Sequence, residues 1–168
     1  MRGEEVEVAI SMVRIDDRLI HGQVAIGWTK MLNATVIVVA DDPVAADPVQ
    51  KTVLKAATPI GVRSAILGIA DAAALLTGPK LVREKVLVVV KGPAPVLDLI
   101  NAGIDIKRVI IGNMRMEDGK KRITKEVAAN ETEWKAFREL NDRGVELIAQ
   151  WLPGGDSKNF NEIIKKEA

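Results

Sequence analysis

The sequence lacks cysteine and tyrosine altogether, and it has one histidine, His21, among 168 residues. Without cysteine there is no disulfide framework, no thiol nucleophile and no cysteine-ligated metal site, and a single histidine cannot supply a pair of imidazole ligands. The 24 basic and 23 acidic residues leave a net charge of +1, and two phenylalanines and three tryptophans offer few rings for base stacking. Nothing therefore indicates a nucleic-acid partner.

Long apolar runs are also missing. The most strongly apolar stretch, Val86–Val90, is far shorter than the roughly 18–20 residues of a membrane span, and the polar start Met1–Glu5 does not fit a signal peptide. We therefore expect a cytoplasmic protein. At roughly 150 residues per domain, the length predicts one domain over residues 1–168.

What the sequence does contain is an alternation of short β-branched runs and longer helical stretches. The predicted strands are Val6–Met12, Thr35–Ala40, Val62–Ile69, Lys85–Val90, Arg108–Gly112 and Val145–Leu152, with an extra strand over Lys121–Thr124. The predicted helices are Gln23–Leu32, Pro48–Ala57, Asp71–Thr77, Pro95–Ala102 and Glu133–Arg143, and residues 156–168 are predicted to end in a helix over Phe160–Lys166. This order predicts an α/β fold: an open, mostly parallel sheet with helices on both faces.

Helix boundaries carry their usual residue types. Asp47 followed by Pro48 is typical of an N-cap with proline at the first helical position, and Asn130 or Thr132 can cap the fifth predicted helix. Gly144 follows that helix, where a C-terminal glycine is expected.

The loop after the first predicted strand gathers the residues with the most chemistry. Within ten positions it holds Arg14, Asp16, Asp17, Arg18, His21, Gly22 and Gln23. In such folds, ligands bind beyond the carboxyl ends of the strands, and a helix N-terminus offers free N–H groups and a positive dipole end. Gly22 lets the backbone approach a ligand closely, and Arg18 can hold a phosphate or carboxylate through two hydrogen bonds.

This loop predicts a histidine positioned to carry a phosphoryl group, because neutral imidazole is a competent nucleophile near neutral pH. The helix end would contribute about 0.3–1 kcal/mol and Arg18 roughly 1.5–3 kcal/mol to holding the phosphoryl charge. Asp16 or Asp17 would orient Arg18 or His21, or cap the turn. The alternative is a solvated loop without function, in which Arg14 and Arg18 pair with the aspartates for about 0–1 kcal/mol each.

The segment from Arg14 to Val24, Arg-Ile-Asp-Asp-Arg-Leu-Ile-His-Gly-Gln-Val, resembles the phosphorylation-site segment of a known family. That family is the IIB components of mannose-type sugar phosphotransferase systems, which serve mannose, fructose, sorbose and N-acetylgalactosamine. Later segments extend the resemblance over essentially the whole chain, at Trp28–Lys30, Val38–Asp42, Ala57–Val62, Val109–Met114 and Leu140–Val145.

The resemblance implies a phosphoenolpyruvate-dependent system in which His21 accepts a phosphoryl group on Nδ1 from a phosphohistidine of a IIA partner. The group then passes to a sugar bound by the membrane IIC and IID components during uptake. Arg18 would bind the phosphoryl group, and the remaining loop residues would support it: Arg14, Asp16, Asp17, Gly22 and Gln23. The resemblance also implies one antiparallel strand, no metal or organic cofactor, and peripheral association with the transporter; a homodimer is left open.

Two segments depart from the family pattern. Gly112-Asn113-Met114 stands where many members have Gly-Gly-Met, and Lys91–Pro95 stands where many have a Thr-Asn-Pro-type turn followed by an acid. Both segments are expected to border the active face, so the sugar subtype and the details of the partners are left open.

The main alternative is a receiver-like signalling module phosphorylated on aspartate. Asp16, Asp17, Asp71 and Lys91 each follow a predicted strand, as the magnesium-binding acids and the lysine of receiver domains do. A phosphohistidine is labile in acid and stable in base, whereas an acyl phosphate is lost in base, so the chemistry of the label separates the two. A third hypothesis is a non-catalytic binding protein, for which His21→Gln would leave function unchanged.

Overall fold

Seven strands form the central sheet in the structure, a computed structural model that describes residues 7–167. The strands of the chain are β1 (Ala9–Asp16), β2 (Val36–Ala40), β3 (Arg63–Leu67), β4 (Lys85–Val90), β5 (Arg108–Asn113), β6 (Lys121–Arg122), β7 (Ala128–Ala129), β8 (Glu146–Gln150) and β9 (Ser157–Asn159). The sheet order is β3-β2-β4-β1-β5-β8-β9, and every pair is parallel except β8–β9. The predicted α/β class with one antiparallel strand is confirmed.

Helices cover both faces of this sheet, as predicted. They are α1 (Gly22–Leu32), α2 (Asp42–Ala45), α3 (Pro48–Ala57), α4 (Ile69–Thr77), α5 (Pro93–Asn101), α6 (Glu131–Asp142) and α7 (Phe160–Lys166). Buried side chains of α1, α2 and α3 form one apolar cluster with the sheet, and those of α4 to α7 form the other. Connections between parallel strands that run over one face or the other of the sheet place a layer of helices on each face.

The first strand ends later than the sequence indicates. The predicted strand Val6–Met12 begins outside the described residues, and the observed β1 continues to Asp16. β1 lies between β4 and β5 in the middle of the sheet, so even its polar residues Arg14 and Asp16 are buried, at 2 % and 0 % exposure. Hydropathy hides this extension, because two charged residues pair within the strand rather than face solvent.

Other boundaries shift by a few residues for local reasons. The extra strand predicted over Lys121–Thr124 is the shorter β6, which pairs antiparallel with β7 outside the main sheet. Helix α6 begins two residues before its predicted start, because Asn130 rather than Thr132 is its N-cap. Asn130 Oδ1 accepts a bond from the Glu133 backbone N–H, and the Glu133 carboxylate accepts one from the Asn130 N–H.

No helix among residues 7–167 has both the length and the apolar character needed to cross a bilayer.

The carboxyl-terminal helix is built into the core. Phe160 of α7 is fully buried and lies 4.8 Å from Phe137 and 6.1 Å from Trp134, measured between ring centroids. Asn161 fixes the start of the same helix, because its Oδ1 accepts a 2.7 Å bond from the Leu147 N–H of β8. The aromatic cluster therefore joins α7 to α6 and to the sheet.

We expect Phe160→Ala to lower the free energy of unfolding by about 3–5 kcal/mol, as other buried Phe-to-Ala changes do. Urea denaturation followed by circular dichroism measures the loss. Met116→Ala, at a side chain that is 51 % exposed, is the matched control and should change stability by less than about 0.5 kcal/mol. Equal values for the two variants would show that α7 is not part of the cooperative core.

Candidate functional site

His21 lies directly beyond the carboxyl end of β1, at the N-cap of α1. Its Nε2 is 3.0 Å from Oδ2 of Asp16, and 23 % of its side chain is exposed. Within residues 7–167 no hydrogen bond is made to the other ring nitrogen, Nδ1. An ionised carboxylate can only accept a hydrogen bond, so this contact favours the neutral tautomer with the proton on Nε2 and the free lone pair on Nδ1.

The backbone of the loop is held in an unusual conformation. Leu19 has φ +62° and Gly22 has φ +40°, so two residues of the loop occupy the left-handed region. For a bulky residue such as leucine this costs about 1–3 kcal/mol. Leu19 and Ile20 are both buried in the apolar cluster under α1, and this burial holds the loop in place. The residues that flank this pair lie nearer to solvent: Arg18 is exposed and His21 is partly exposed.

Asp16 connects the strand, the turn and the histidine. It is completely buried, its Oδ1 accepts a 3.0 Å bond from the Arg18 backbone N–H, and its Oδ2 faces His21. Of the roles predicted for the aspartates, Asp16 thus both orients the histidine and caps the turn. The carboxylate also lies 3.4 Å from Nη2 of Arg14.

Asp17 points to a different part of the molecule. Its Oδ1 accepts a 2.8 Å bond from Asn113 Nδ2, and its Oδ2 accepts bonds from Arg115 N at 2.7 Å and Arg115 Nε at 3.2 Å. The departure at Asn113 therefore has a structural role, because its amide ties the loop to the end of β5. Arg115 was missed from the sequence, since only the fold brings it beside Asp17.

Arg18 is exposed, and its guanidinium makes no hydrogen bond or ion pair with any of residues 7–167. Gly22 and Gln23 form the start of α1, and the first turn of this helix contains no acidic residue. No carboxylate of that turn therefore competes with an incoming anion. A free cation and the amide groups of a helix start lie on either side of the histidine along the chain.

Arg14 lies in the strand and not in the loop where it was predicted. Its Nη1 donates to the Gln150 carbonyl at 3.0 Å and its Nη2 donates to the Trp151 carbonyl at 2.8 Å. Burial lowers the pKa of Arg14 to about 10, and Asp16 opposes part of that shift. The group is still cationic at neutral pH. The surface ion pairs of the solvated-loop hypothesis are absent for both arginines among the described residues, because Arg14 is buried and Arg18 has no carboxylate partner.

The residues of the receiver-like alternative are not brought together. Asp71 belongs to α4, after the edge strand β3, and β2 and β4 separate that strand from β1. Asp16 and Asp17 are occupied by the contacts just described. In the part of the chain that the structure describes, no three acidic or histidine side chains are grouped so as to hold a metal ion.

Comparison with known proteins identifies the family of this chain. The family model for "PTS system sorbose subfamily IIB component" matches residues 10–168. The sorbose-specific EIIB component of Lacticaseibacillus casei is 40 % identical over 162 residues, which cover 94 % of this chain and 99 % of the relative. The crystal structure of the IIBSor domain of the Klebsiella pneumoniae sorbose permease superimposes with a TM-score of 0.90 at 36 % identity, covering 95 % of this chain and 98 % of that one.

The chain therefore belongs to the sorbose subfamily of IIB components of the phosphotransferase system, and the resemblance noted from the sequence is confirmed. IIB components are phosphotransferases, and no comparison supports the receiver-like alternative. The mannose-specific EIIAB component of Escherichia coli is 40 % identical over 159 residues, covering 95 % of this chain. The chain spans about half the length of that relative, 49 %.

We expect Asn113→Ala to release Asp17 from one of its partners. Loss of one hydrogen bond to a partly exposed carboxylate should cost about 1 kcal/mol of unfolding free energy, measured by urea denaturation. The same substitution made in an Asp17→Ala background should cost almost nothing, because its partner is already gone. Equal costs in the two backgrounds would show that the bond does not couple these residues.

Proposed function

We propose that this protein is a phosphocarrier of a sugar phosphotransferase system, with Nδ1 of His21 as the acceptor atom. The phosphoryl group comes from a phosphohistidine of a IIA partner and passes to a sugar held by the membrane IIC and IID components. The observation that carries the proposal is the 3.0 Å contact between His21 Nε2 and Asp16 Oδ2. This contact supports Nε2 as the protonated ring nitrogen, with Nδ1 available as the acceptor.

The first transfer exchanges one P–N bond for another. The Nδ1 lone pair of His21 attacks phosphorus, the P–N bond of the donor breaks, and its electron pair returns to the donor imidazole. The phosphorylated ring keeps its Nε2 proton and donates a hydrogen bond from Nε2–H to Asp16, so the carboxylate stabilises the positive charge that develops on the ring. Because the bonds broken and formed are of one kind, the protein has mainly to position the groups and stabilise charge.

Arg18 and the start of α1 supply that charge stabilisation. A charge-assisted bond from Arg18 is worth roughly 1.5–3 kcal/mol, and the helix end adds about 0.3–1 kcal/mol. Since Arg18 has no partner among residues 7–167, its side chain can turn to the phosphoryl group without breaking an existing bond. Gly22 and Gln23 are the first two residues of α1, where backbone N–H groups have no acceptor within the helix.

In the second transfer, a sugar hydroxyl attacks the phosphorus of phosphorylated His21. The hydroxyl proton passes to solvent water, and the P–N electron pair returns to Nδ1, which leaves His21 neutral with its proton on Nε2. We infer a cytoplasmic location beside the membrane components that bind the sugar. Relatives of equal identity, 40 %, are named for sorbose in one case and mannose in the other. Similarity to these relatives therefore does not select one sugar, and the proposal assigns that selection to the membrane components that bind the sugar.

The proposal is tested with the full chain, phosphoenolpyruvate and the upstream phosphocarriers including IIA. We expect one phosphoryl group, on His21, that is lost in acid and retained in base. His21→Gln should fold as the parent does and take up no label. A label that survives acid but not base, or one that maps to another residue, would refute the proposal.

Arg18→Gln should slow phosphoryl transfer about tenfold to a hundredfold, the rate equivalent of one charge-assisted hydrogen bond. Stability should be unchanged, because the Arg18 side chain bonds to nothing within residues 7–167. Arg83→Gln is the matched control. This arginine is also exposed, but it lies just before β4, at the amino ends of the parallel strands and away from the carboxyl ends where His21 lies. Rapid-quench measurement of His21 phosphorylation compares the three proteins, and equal rates would exclude the role given to Arg18.

A further inference from the structure

Arg14 makes contacts with the end of β8 that have no part in the proposed transfer. Arg14 is in β1, and its guanidinium crosses the neighbouring strand β5 to reach Gln150 and Trp151 at the end of β8. It passes directly over Gly112 of β5. A Cβ at Gly112 would lie 2.0 Å from Nη2 and 2.2 Å from Cζ of Arg14, so only glycine leaves room for the crossing.

Trp151, one of the two residues that Arg14 contacts there, lies in the loop after β8. The Trp151 carbonyl accepts a second bond, at 2.9 Å, from Nε1 of Trp28, whose ring lies 5.1 Å from the Arg14 Cζ. Trp28 belongs to α1, the helix that begins after His21. The side chain of Trp151 is 46 % exposed, whereas Trp28 is 1 % exposed. One guanidinium therefore joins the loop after β8 to the strand that carries Asp16.

We propose that Arg14 is a positioning residue, which fixes Asp16, and through it the His21 ring, against the carbonyls of Gln150 and Trp151. Its cation balances the buried carboxylate, and its two outer nitrogens already have carbonyl acceptors. Its Nε–H is left without a partner among residues 7–167, but the whole side chain is only 2 % exposed, so this donor is closed off from a phosphoryl group at the surface. The two arginines of the predicted loop therefore have different roles. Arg18 contacts the phosphoryl group, whereas Arg14 acts only through Asp16. The catalytic meaning of this role rests on the proposed function, but its structural consequence does not.

The single histidine makes a direct test possible in the unphosphorylated protein. With ¹⁵N labelling, every imidazole signal belongs to His21, and we expect one Nε2–H resonance protected from exchange with water. Arg14→Lys keeps a charge but cannot reach both carbonyls in the same way. It should speed exchange of that proton on the order of tenfold and slow transfer on the order of tenfold to a hundredfold, as small misplacements do.

Arg18→Gln is the contrasting variant. It should slow transfer while leaving the imidazole spectrum of the unphosphorylated protein as in the parent. If Arg14→Lys also leaves that spectrum and the exchange rate unchanged, the positioning role is overturned.

Gly112→Ala gives an independent test that leaves both charged residues in place. The added methyl group displaces the guanidinium, so this variant should reproduce the imidazole changes of Arg14→Lys. In an Arg14→Ala background the space is vacant, and Gly112→Ala should then change the spectrum no further. Additive effects of the two substitutions would contradict the proposal. If Arg14→Ala does not fold, the two single variants Gly112→Ala and Arg14→Lys decide the question.

The two proposals fail separately. If no phosphoryl group appears on His21, the proposed function is wrong, but the imidazole comparison still measures whether Arg14 fixes the ring. Suppose instead that His21 is phosphorylated, and that the Arg14 and Gly112 variants fold but keep the parental imidazole spectrum. Then only the positioning role is wrong.

Discussion

A carboxylate buried in the middle of a parallel sheet is the constraint on which this site depends. Asp16 is the last residue of the central strand β1 and has no exposed surface. An ionised carboxylate in such a place costs several kcal/mol unless charge and hydrogen bonds compensate. Here the compensation comes from Arg14, from the Arg18 backbone N–H and from His21. The demands of one buried group thereby place the strand, the turn and the start of the helix relative to each other.

The two neighbouring aspartates show how a strand end divides such tasks. Successive side chains point to opposite sides, so Asp16 turns inward to the histidine while Asp17 turns to the end of β5. The first network orients the histidine ring, and the second fixes the loop against the strand beside it. Asn113 belongs to the second network, so the departure from the family pattern changes how the loop is held and leaves the ring contacts intact.

The order of strands and helices could be predicted because it depends on local patterns of residue types. Runs of valine and isoleucine mark β2, β4 and β5, and the loop with the only histidine follows β1 as expected. The end of β1 could not be predicted, because the acceptors that allow Arg14 to be buried lie 136 and 137 residues away. The positive φ of Leu19 could not be predicted from the sequence either, because it is supported by burial of this side chain in the apolar cluster under α1. Residue types alone also do not show that the Asp16 carboxylate faces Nε2 of His21, a contact that depends on the folded loop.

A carrier that serves two partners has to hold its phosphoryl group without trapping it. Each 1.4 kcal/mol of added grip slows release about tenfold, so several arginines around the phosphate would favour loading at the expense of delivery. The structure limits that grip in a simple way. The cation of Arg14 is occupied by Asp16 and two carbonyls, which leaves the exposed Arg18 and the start of α1 to face the anion. Under the two proposals, burying one arginine therefore has two consequences: it orients the histidine, and it keeps the phosphoryl group transferable.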